Sequence, residues 1–349
     1  MLSLLTAIVL AAAPLQDTAH VVLIATTDVH GHVADWDYVA DRPFAGGLVR
    51  VASVVDSLRA AYPGQVVVVD AGDLLQGDPF ATYFARIRPV DPHPIVEAMN
   101  LAGYDAATPG NHDFDWGLPL LSRVVGESRF AYVSANIHAE PGGALLYPAY
   151  RVLQRQGVRI AITGFTTPGV MVWDRDQLAG RARVTPIPAA AAPTLAAMRR
   201  EADVTVALVH SGLAGPASYD TAGVGGEDEA AALADLPVRP DVVVVGHSHR
   251  ELRDSVIGGV HFVQPRPFGA SVSVVHLSLA RVAGGWRVGR VRADLVSTAD
   301  VAASPVLAKR LAPARDAVRT WARTPIGLAL APMRAGAARA EPAPILGFV

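Results

Sequence analysis

The sequence predicts an α/β fold in which strands and helices alternate along the chain. Six largely apolar, β-branched runs each lead into a turn with Gly, Asp, Asn or His, and they cover 21–25, 66–69, 104–108, 158–163, 204–209 and 242–245. Apolar runs of this length indicate strands that are buried on both faces. Helical patterns at 47–61, 94–101 and 190–201 lie between the strands. In such a fold, ligands are expected at the carboxyl ends of the strands.

The pattern changes after residue 249. Alternating stretches at 260–264, 271–279 and 286–295 predict antiparallel strands that close the domain. Residues 304–323 carry apolar side chains at helical spacing and predict a helix, which leads into Thr324-Pro325-Ile326-Gly327. The Ala, Pro and Arg-rich tail that follows is too short to fold alone.

Composition excludes several classes of function. The chain has 349 residues, of which 51% are hydrophobic, so one full domain and part of another are expected. The formal net charge of -2 provides no basic field for polymeric nucleic acid. The sequence contains no Cys, which excludes disulfides and thiolate chemistry. A bound metal would therefore be held by carboxylate, imidazole and amide groups.

The first thirteen residues form an apolar run that is too short to span a bilayer and ends in small residues. They predict a signal peptide over residues 1–19 and a periplasmic or secreted protein. Because no Lys or Arg precedes the run, a buried N-terminal strand is the alternative. No later segment has the pattern of a membrane span.

Polar side chains with metal-binding groups follow five of the predicted strands. They are Asp28, His30, Asp73, Asn111, His210, His247 and His249. Each of these alone could be a turn residue or a core histidine. Together they form a ligand set for two divalent ions, with Asp73 as the natural bridging carboxylate. The same turn as Asn111 also contains His112 and Asp115.

The order and spacing of these motifs resemble the calcineurin-like binuclear metallophosphatase superfamily, and within it the 5′-nucleotidase family. The resemblance spans residues 21 to about 299. It implies a four-layer αββα sandwich with two mixed β-sheets flanked by helices. It also implies one metal at Asp28, His30, Asp73 and His249, and a second metal at Asp73, Asn111, His210 and His247. The ions would be Mn, Zn, Co or Fe, all of which suit carboxylate and imidazole ligands.

In the same resemblance, His112 is the acid or transition-state stabiliser and Asp115 orients it. A hydroxide bound to the metals would attack phosphorus. The segment 35–43, together with 91–94 and 97–100, resembles the periplasmic bifunctional 2′,3′-cyclic-nucleotide 2′-phosphodiesterase/3′-nucleotidases. The resemblance therefore implies a phosphoesterase for 2′,3′-cyclic nucleotides and 3′-nucleotides. The alternatives are a 5′-nucleotidase or nucleotide-sugar hydrolase, and a truncated protein that binds metal or nucleotide without catalysis.

Three residues of segment 35–43 are weaker candidates for substrate contact. Trp36 and Tyr38 could flank the substrate or pin the loop to the core, and Arg42 could bind phosphate or pair with a neighbouring Asp. Glu227-Asp228-Glu229 has the pattern of a solvated helix start.

The resulting domain prediction places a signal peptide at 1–19 and the catalytic domain at 20–300. A linker helix follows at 301–323, and residues 324–349 begin a truncated nucleotide-specificity domain. Family members stack the base in that second domain, so base-stacking residues cannot be assigned from this sequence.

Overall fold

The computed structural model describes residues 17–328, which contain two six-stranded β-sheets and two two-stranded ribbons. The strands are β1 Thr18–Thr26, β2 Trp36–Asp37, β3 Arg42–Pro43, β4 Val66–Asp70, β5 Ala106–Ala107, β6 Ala131–Tyr132, β7 Ile137–Ala139, β8 Tyr150–Arg155, β9 Val158–Thr166, β10 Ala182–Val184, β11 Val204–His210, β12 Val242–Val245, β13 Leu252–Ile257, β14 Val260–Gln264, β15 Ser271–Val282 and β16 Gly285–Ser297.

The helices are α1 Leu48–Ala61, α2 Pro79–Thr82, α3 Pro94–Ala102, α4 Leu118–Glu127, α5 Val170–Trp173, α6 Arg175–Leu178, α7 Ile187–Glu201 and α8 Pro305–Ala322. A π-helical turn at Tyr83–Ile87 continues α2, and a 3₁₀ helix lies at Ala230–Asp235.

The first sheet has the strand order β16-β15-β1-β4-β5-β6. Its strands β1, β4, β5 and β6 are parallel, whereas β15 pairs antiparallel with β1 and β16 antiparallel with β15. The second sheet has the order β13-β14-β12-β11-β9-β8, with parallel strands at its centre and antiparallel strands β13 and β8 at its edges. Both sheets are therefore mixed.

Alternate residues of each central strand face different layers, as the two-residue period of a strand requires. In β1, Val22 and Ile24 pack with α1, α3 and α8 on the outer side of the first sheet. Their neighbours Val21 and Leu23 pack with strands of the second sheet. The outer side of the second sheet is covered by α7 and the 3₁₀ helix. The result is the four-layer αββα sandwich that the resemblance implies.

All six predicted buried strands are present, although one of them is shorter than predicted. The run 104–108 contributes only Ala106–Ala107. The reason is local, because the Asp105 carboxylate accepts the N–H of Val68 at 2.9 Å where a longer strand would offer a backbone carbonyl.

The prediction of antiparallel strands after residue 249 is confirmed for β15 and β16 and holds on one side of β14, which pairs antiparallel with β13 but parallel with β12. The sequence analysis did not recognise β13. That strand takes the edge of the sheet, and the chain then returns beside β12.

The predicted helix at 304–323 is present as α8, whose residues Leu307, Leu311 and Val318 are buried in the helical layer of the first sheet. Its role as a linker stays a prediction. Residues 1–16 of the predicted signal peptide and residues 329–349 of the predicted second domain lie outside the described part of the chain. Within residues 17–328, no helix combines the length and the apolar character that crossing a bilayer requires.

Candidate metal centre

The predicted ligands converge at the carboxyl ends of strands from both sheets. Asp28 and His30 follow β1, Asp73 follows β4 and Asn111 follows β5, all in the first sheet. The second sheet contributes a further three: His210 is the last residue of β11, whereas His247 and His249 follow β12. The centre therefore depends on the two sheets being packed against each other.

The turns that present these side chains have an unusual backbone. The φ angles are positive at Asp28 (52°), His30 (49°), Asp73 (62°), His247 (71°) and His249 (53°). Residues other than Gly rarely adopt this left-handed conformation, which persists only where the surroundings impose it. The backbone N–H of Asp28 donates to Gly72 O at 2.9 Å, and that of His30 donates to Asp73 O at 2.8 Å. These bonds join the turns after β1 and β4.

A buried carboxylate that the sequence analysis did not single out holds the same turns together. Asp113 accepts hydrogen bonds from the backbone N–H groups of Asp73 at 3.1 Å, Leu74 at 2.8 Å, Leu75 at 2.9 Å and Gly110 at 2.8 Å. Four charge-assisted bonds of this kind fix the position of Asp73 relative to the segment that contains Asn111.

The first group of ligands surrounds His30. Its Nε2 lies 2.9 Å from His249 Nε2 and 3.5 Å from Asp73 Oδ2. His249 Nε2 lies 3.4 Å from Asp28 Oδ1. The other ring nitrogen of His30 is 2.8 Å from the carbonyl oxygen of Gln76, to which it donates. Nε2 of the neutral ring therefore carries a lone pair that faces the nitrogen of His249 and the carboxylate of Asp73.

The second group surrounds Asn111. Its Oδ1 lies 3.2 Å from His210 Nε2 and 2.9 Å from His247 Nδ1. His210 Nε2 also lies 3.1 Å from Asp73 Oδ2. His210 donates its Nδ1–H to Ala71 O at 2.7 Å, so Nε2 is the ring nitrogen that faces Asp73 and Asn111.

This arrangement fits divalent cations. Acceptor atoms converge on the same space, and such atoms repel one another unless a cation or a proton lies between them. Burial, and next the charge of His210, lowers the pKa of His247. Burial also lowers the pKa of His30 despite the nearby Asp73 and Asp28. Neutral imidazoles of this kind are the form that binds metal.

The protonation of His210 also indicates that the cluster requires positive charge. Burial alone would lower its pKa, but the facing carboxylate of Asp73 raises the pKa to about 10. The His210 imidazolium in turn keeps the pKa of Asp73 well below its usual range, although burial acts in the opposite direction. In the absence of a metal, a proton on His210 therefore supplies the positive charge that the carboxylate requires.

His112 and Asp115 form a dyad beside this cluster. His112 Nδ1 lies 3.0 Å from Asp115 Oδ2, and the backbone N–H of His112 donates to Asp73 Oδ1 at 2.8 Å. Burial would lower the pKa of His112, but the hydrogen bond to Asp115 and the charge of Asp73 raise it to about 9. Both members of the dyad line a cavity of about 600 Å³ that also reaches Asn111 and His247.

Besides Asp113, the sequence analysis missed three residues beside the predicted ligands. The predicted helix start at 227–229 is confirmed, since the 3₁₀ helix begins at Ala230, but Glu227 is not simply solvated, because its Oε1 lies 3.2 Å from His247 Nε2. Trp173 and Asp174 line the cavity. Burial, and next the charge of Asp115, raises the pKa of Asp174 to about 7. Only the acidic run at 227–229 gave a signal in the sequence, and nothing in its local pattern indicated a histidine partner.

The three weaker candidates for substrate contact are not among the described residues that line this cavity. The ring of Trp36 is covered by the guanidinium of Arg319 at 3.9 Å. Tyr38 is buried and its ring lies 6.3 Å from that of Phe80. Arg42 is exposed in the ribbon of β2 and β3. The structure favours the core-pinning alternative for Trp36 and Tyr38.

The fold and the cluster together define a phosphoesterase class. Residues 21–251 match the family of calcineurin-like phosphoesterases, and the chain belongs to that family. Members of the family use divalent metals. The described residues include sets of three side chains that could hold a metal ion, and one of these sets is Asp28, His30 and His249.

Named relatives carry nucleotide phosphoesterase activities. The chain is 31% identical over 310 residues to the trifunctional nucleotide phosphoesterase protein YfkN of Bacillus subtilis, covering 80% of this chain and 21% of that protein. It is 30% identical over 340 residues to the 2′,3′-cyclic-nucleotide 2′-phosphodiesterase/3′-nucleotidase of Yersinia enterocolitica, covering 88% of this chain and 51% of that protein. The chain thus spans about half the length of the latter relative, and less of YfkN.

Solved structures agree with the family. A crystal structure of the calcineurin-like phosphoesterase YfkN from Bacillus subtilis superposes with a TM-score of 0.80 at 27% identity, covering 88% of this chain and 100% of that one. A putative 5′-nucleotidase from Staphylococcus aureus shares the fold, with a TM-score of 0.73 at 22% identity over 87% of this chain and 59% of that one.

Proposed function

We propose that this chain hydrolyses phosphate esters of nucleotides with the help of two divalent metal ions. The observation that carries the proposal is the convergence of acceptor atoms from both sheets beside the His112–Asp115 dyad, on one open cavity. A binding protein would need the acceptor atoms but would have no use for a proton-donating dyad beside them. The arrangement therefore favours catalysis over simple metal or nucleotide binding.

One ion would be held by Asp28, His30, Asp73 and His249, and the other by Asp73, Asn111, His210 and His247. Bound there, the ions would act as Lewis acids on the phosphoryl oxygens and would lower the pKa of a water enough for it to attack phosphorus. Mn, Zn, Co and Fe all suit this mixed set of oxygen and nitrogen donors.

The protein's own contribution to bond cleavage is the dyad. Asp115 accepts from His112 Nδ1, which fixes the ring and leaves the Nε2–H free to donate. A protonated His112 can hydrogen-bond to a phosphoryl oxygen as negative charge develops, or pass its proton to a departing alkoxide. Asp115 stabilises the imidazolium form of the ring, as the raised pKa of His112 indicates.

The substrate proposal is 2′,3′-cyclic nucleotides and 3′-nucleotides. It is supported by the names of relatives that match 88% or more of this chain, from Yersinia enterocolitica and Salmonella typhimurium. The alternative, a 5′-nucleotidase, would turn over 5′-AMP faster than 2′,3′-cyclic AMP or 3′-AMP. Comparing kcat/KM for these three substrates distinguishes the two readings.

Export to the periplasm or the medium belongs to the same proposal and depends on residues 1–19 of the sequence. Sequencing the N-terminus of the protein from a cell that expresses the full gene would reveal whether that segment is removed.

The basic activity can be tested with bis(p-nitrophenyl) phosphate, which needs no nucleoside pocket. We expect the metal-stripped protein to be inactive, and Mn²⁺ to restore hydrolysis because the ions would polarise the phosphoryl oxygens and activate a water. Asp73→Asn should abolish the restored activity, since the amide cannot supply the charge that both ions share.

Calorimetry with Mn²⁺ on the same samples measures the metal stoichiometry independently of turnover. Two ions bound without hydrolysis of any phosphate ester would mean that this chain binds metal but does not catalyse. Hydrolysis that persists in Asp73→Asn at the wild-type rate would overturn the ligand assignment.

A further inference from the structure

The cavity beside the metal centre has an aromatic wall. Its lining includes His112, Asp115, Trp116, Trp173, Asp174 and His247. Two indole rings therefore border the same cavity as the polar groups of the centre. The two indoles differ in what already covers them.

Trp173 is the last residue of α5 and its side chain is 40% exposed. Its ring lies nearly parallel to that of His247, with an interplanar angle of 27° and 5.5 Å between centroids. His247 is a proposed metal ligand through Nδ1. Only the ring of His247 thus separates the indole from the metal site where the phosphoryl group would bind.

The orientation of Trp173 is fixed by its surroundings. The ring of Tyr219 meets it edge to face, at 83° and 5.5 Å between centroids. A Cβ at Gly169 would overlap Cη2 of Trp173 and would come within 2.7 Å of Tyr219 Cε1. The absence of a side chain at Gly169 lets both rings pack onto the backbone there. Trp173 is therefore held in place before any ligand arrives, which reduces the entropy lost on binding.

Trp116 is a contrasting case on the same cavity. The guanidinium of Arg86 lies over its ring at 4.7 Å, and its Nε1–H donates to Leu75 O at 2.7 Å. These contacts give Trp116 a structural role, with one face and its polar atom already engaged.

We infer that Trp173 forms an aromatic subsite that stacks the base of the nucleotide ester, and so determines specificity within this domain. The inference rests on the proposed function. An exposed, preorganised indole provides a planar surface for any base, because every base has a π-face. The subsite would prefer esters with a planar heterocycle over esters of simple alcohols, and it would discriminate little among the bases.

The test compares two metal-dependent substrates, 3′-AMP and glycerol 2-phosphate. Both are esters of secondary alcohols, but only one has a base. Base stacking of this kind contributes about 1–3 kcal/mol, so we expect Trp173→Ala to lower the kcat/KM ratio of 3′-AMP to glycerol 2-phosphate by about 5- to 150-fold. Trp173→Phe should restore part of the ratio, because phenylalanine keeps a smaller stacking surface.

Val172→Ala is the matched control. Val172 lies on the same short helix with 41% exposure, and it is not among the described residues that line the cavity. The ratio should not change in this variant. As a readout that does not depend on turnover of a nucleotide, adenosine should inhibit hydrolysis of glycerol 2-phosphate competitively, with a Ki that rises in Trp173→Ala.

An unchanged ratio in Trp173→Ala would overturn the inference, whether the two rates stay constant or fall together. A parallel fall would assign Trp173 to the support of His247 instead. Failure of the proposed function looks different, because the wild-type protein with Mn²⁺ would then hydrolyse neither substrate.

Discussion

At the residue scale, three of the clustered imidazoles have one ring nitrogen engaged outside the cluster. His30 is bonded to Gln76 O, His210 to Ala71 O and His247 to Glu227. Partners of this kind fix the tautomer and the ring orientation, and they make the other nitrogen a better metal ligand. Two of these partners are backbone carbonyls, which substitution cannot remove. Glu227 is a side chain and can be tested.

We expect Glu227→Ala to weaken metal binding by about 10- to 100-fold, the usual effect of losing such a partner. Glu227→Gln keeps an oxygen that can accept from His247 Nε2–H and should retain most of the affinity. Titrating the metal-stripped variants with Mn²⁺ in a calorimeter measures both. Equal affinity in Glu227→Ala and the wild-type protein would show that the contact with His247 has no part in metal binding.

At the element scale, the centre consists of turns held so closely that no side chain fits between them. A Cβ at Gly72 would lie 2.5 Å from Gly110 N, and a Cβ at Gly110 would overlap Asp73 Oδ1. Gly72 also has a φ of 97°. The turns after β4 and β5 therefore touch through their backbones, and this contact places Asp73 next to Asn111.

Gly110→Ala should separate these two turns. We expect it to destabilise the metal-stripped protein by about 1–3 kcal/mol through overpacking, and to weaken Mn²⁺ binding because Asp73 is displaced. Gly126 in α4 is the matched control, since a Cβ there meets nothing within 4 Å. Gly126→Ala should instead stabilise the protein by about 0.5–1 kcal/mol through helix propensity. Urea unfolding of both variants decides the comparison.

The sequence predicted the elements better than it predicted their surroundings. The runs 66–69 and 242–245 were recognisable as strands because both faces are buried, and the polar residues after the strands indicated a metal site only when taken together. Glu227 and Trp173 were not predicted, since each reaches His247 only through tertiary packing. A local pattern carries information about an element's own period. It carries none about which distant turn a side chain will meet.

At the scale of the whole molecule, a buried carboxylate joins the two sheets. At the end of the sandwich opposite the metal centre, Asp203 lies just before β11. It accepts from the side chain of Arg159 at 3.0 Å and from its backbone N–H at 2.9 Å. It also accepts from the backbone N–H of Trp286 at 3.1 Å, in β16 of the first sheet. One carboxylate thus links both sheets.

This link should make stability depend on pH. Burial would raise the pKa of Asp203, but the hydrogen bonds from Arg159 and Trp286 outweigh it and lower the pKa. A lowered folded-state pKa contributes stability that is present above the ordinary aspartate value of about 4 and is lost as the pH falls through the folded value. We expect Asp203→Asn to reduce the free energy of unfolding at pH 7 and to flatten its decline below about pH 4.

Asp294→Asn is the control for this measurement, because Asp294 in β16 also joins the sheets through Arg253 of β13, and pairs with Arg292, but does so on the surface. Exposed pairs of this kind contribute little. Urea unfolding at pH 7 and pH 3 should therefore show the larger change for Asp203→Asn. Equal changes in both variants would show that the buried link at Asp203 contributes no more to stability than the exposed link at Asp294.

The strand order has a consequence for how the protein is made. The nine-residue strand β1 lies between β4 and β15 in the first sheet, but the ribosome finishes the entire second sheet before it reaches Ser271, where β15 begins. At about 5–20 residues per second, one edge of β1 stays without its neighbour for roughly 12–50 s of translation. During that interval the nascent chain carries an open strand edge of the kind that pairs readily with other chains. Completion of the first sheet is thus among the last steps of biogenesis, although its first strand is among the earliest segments to emerge.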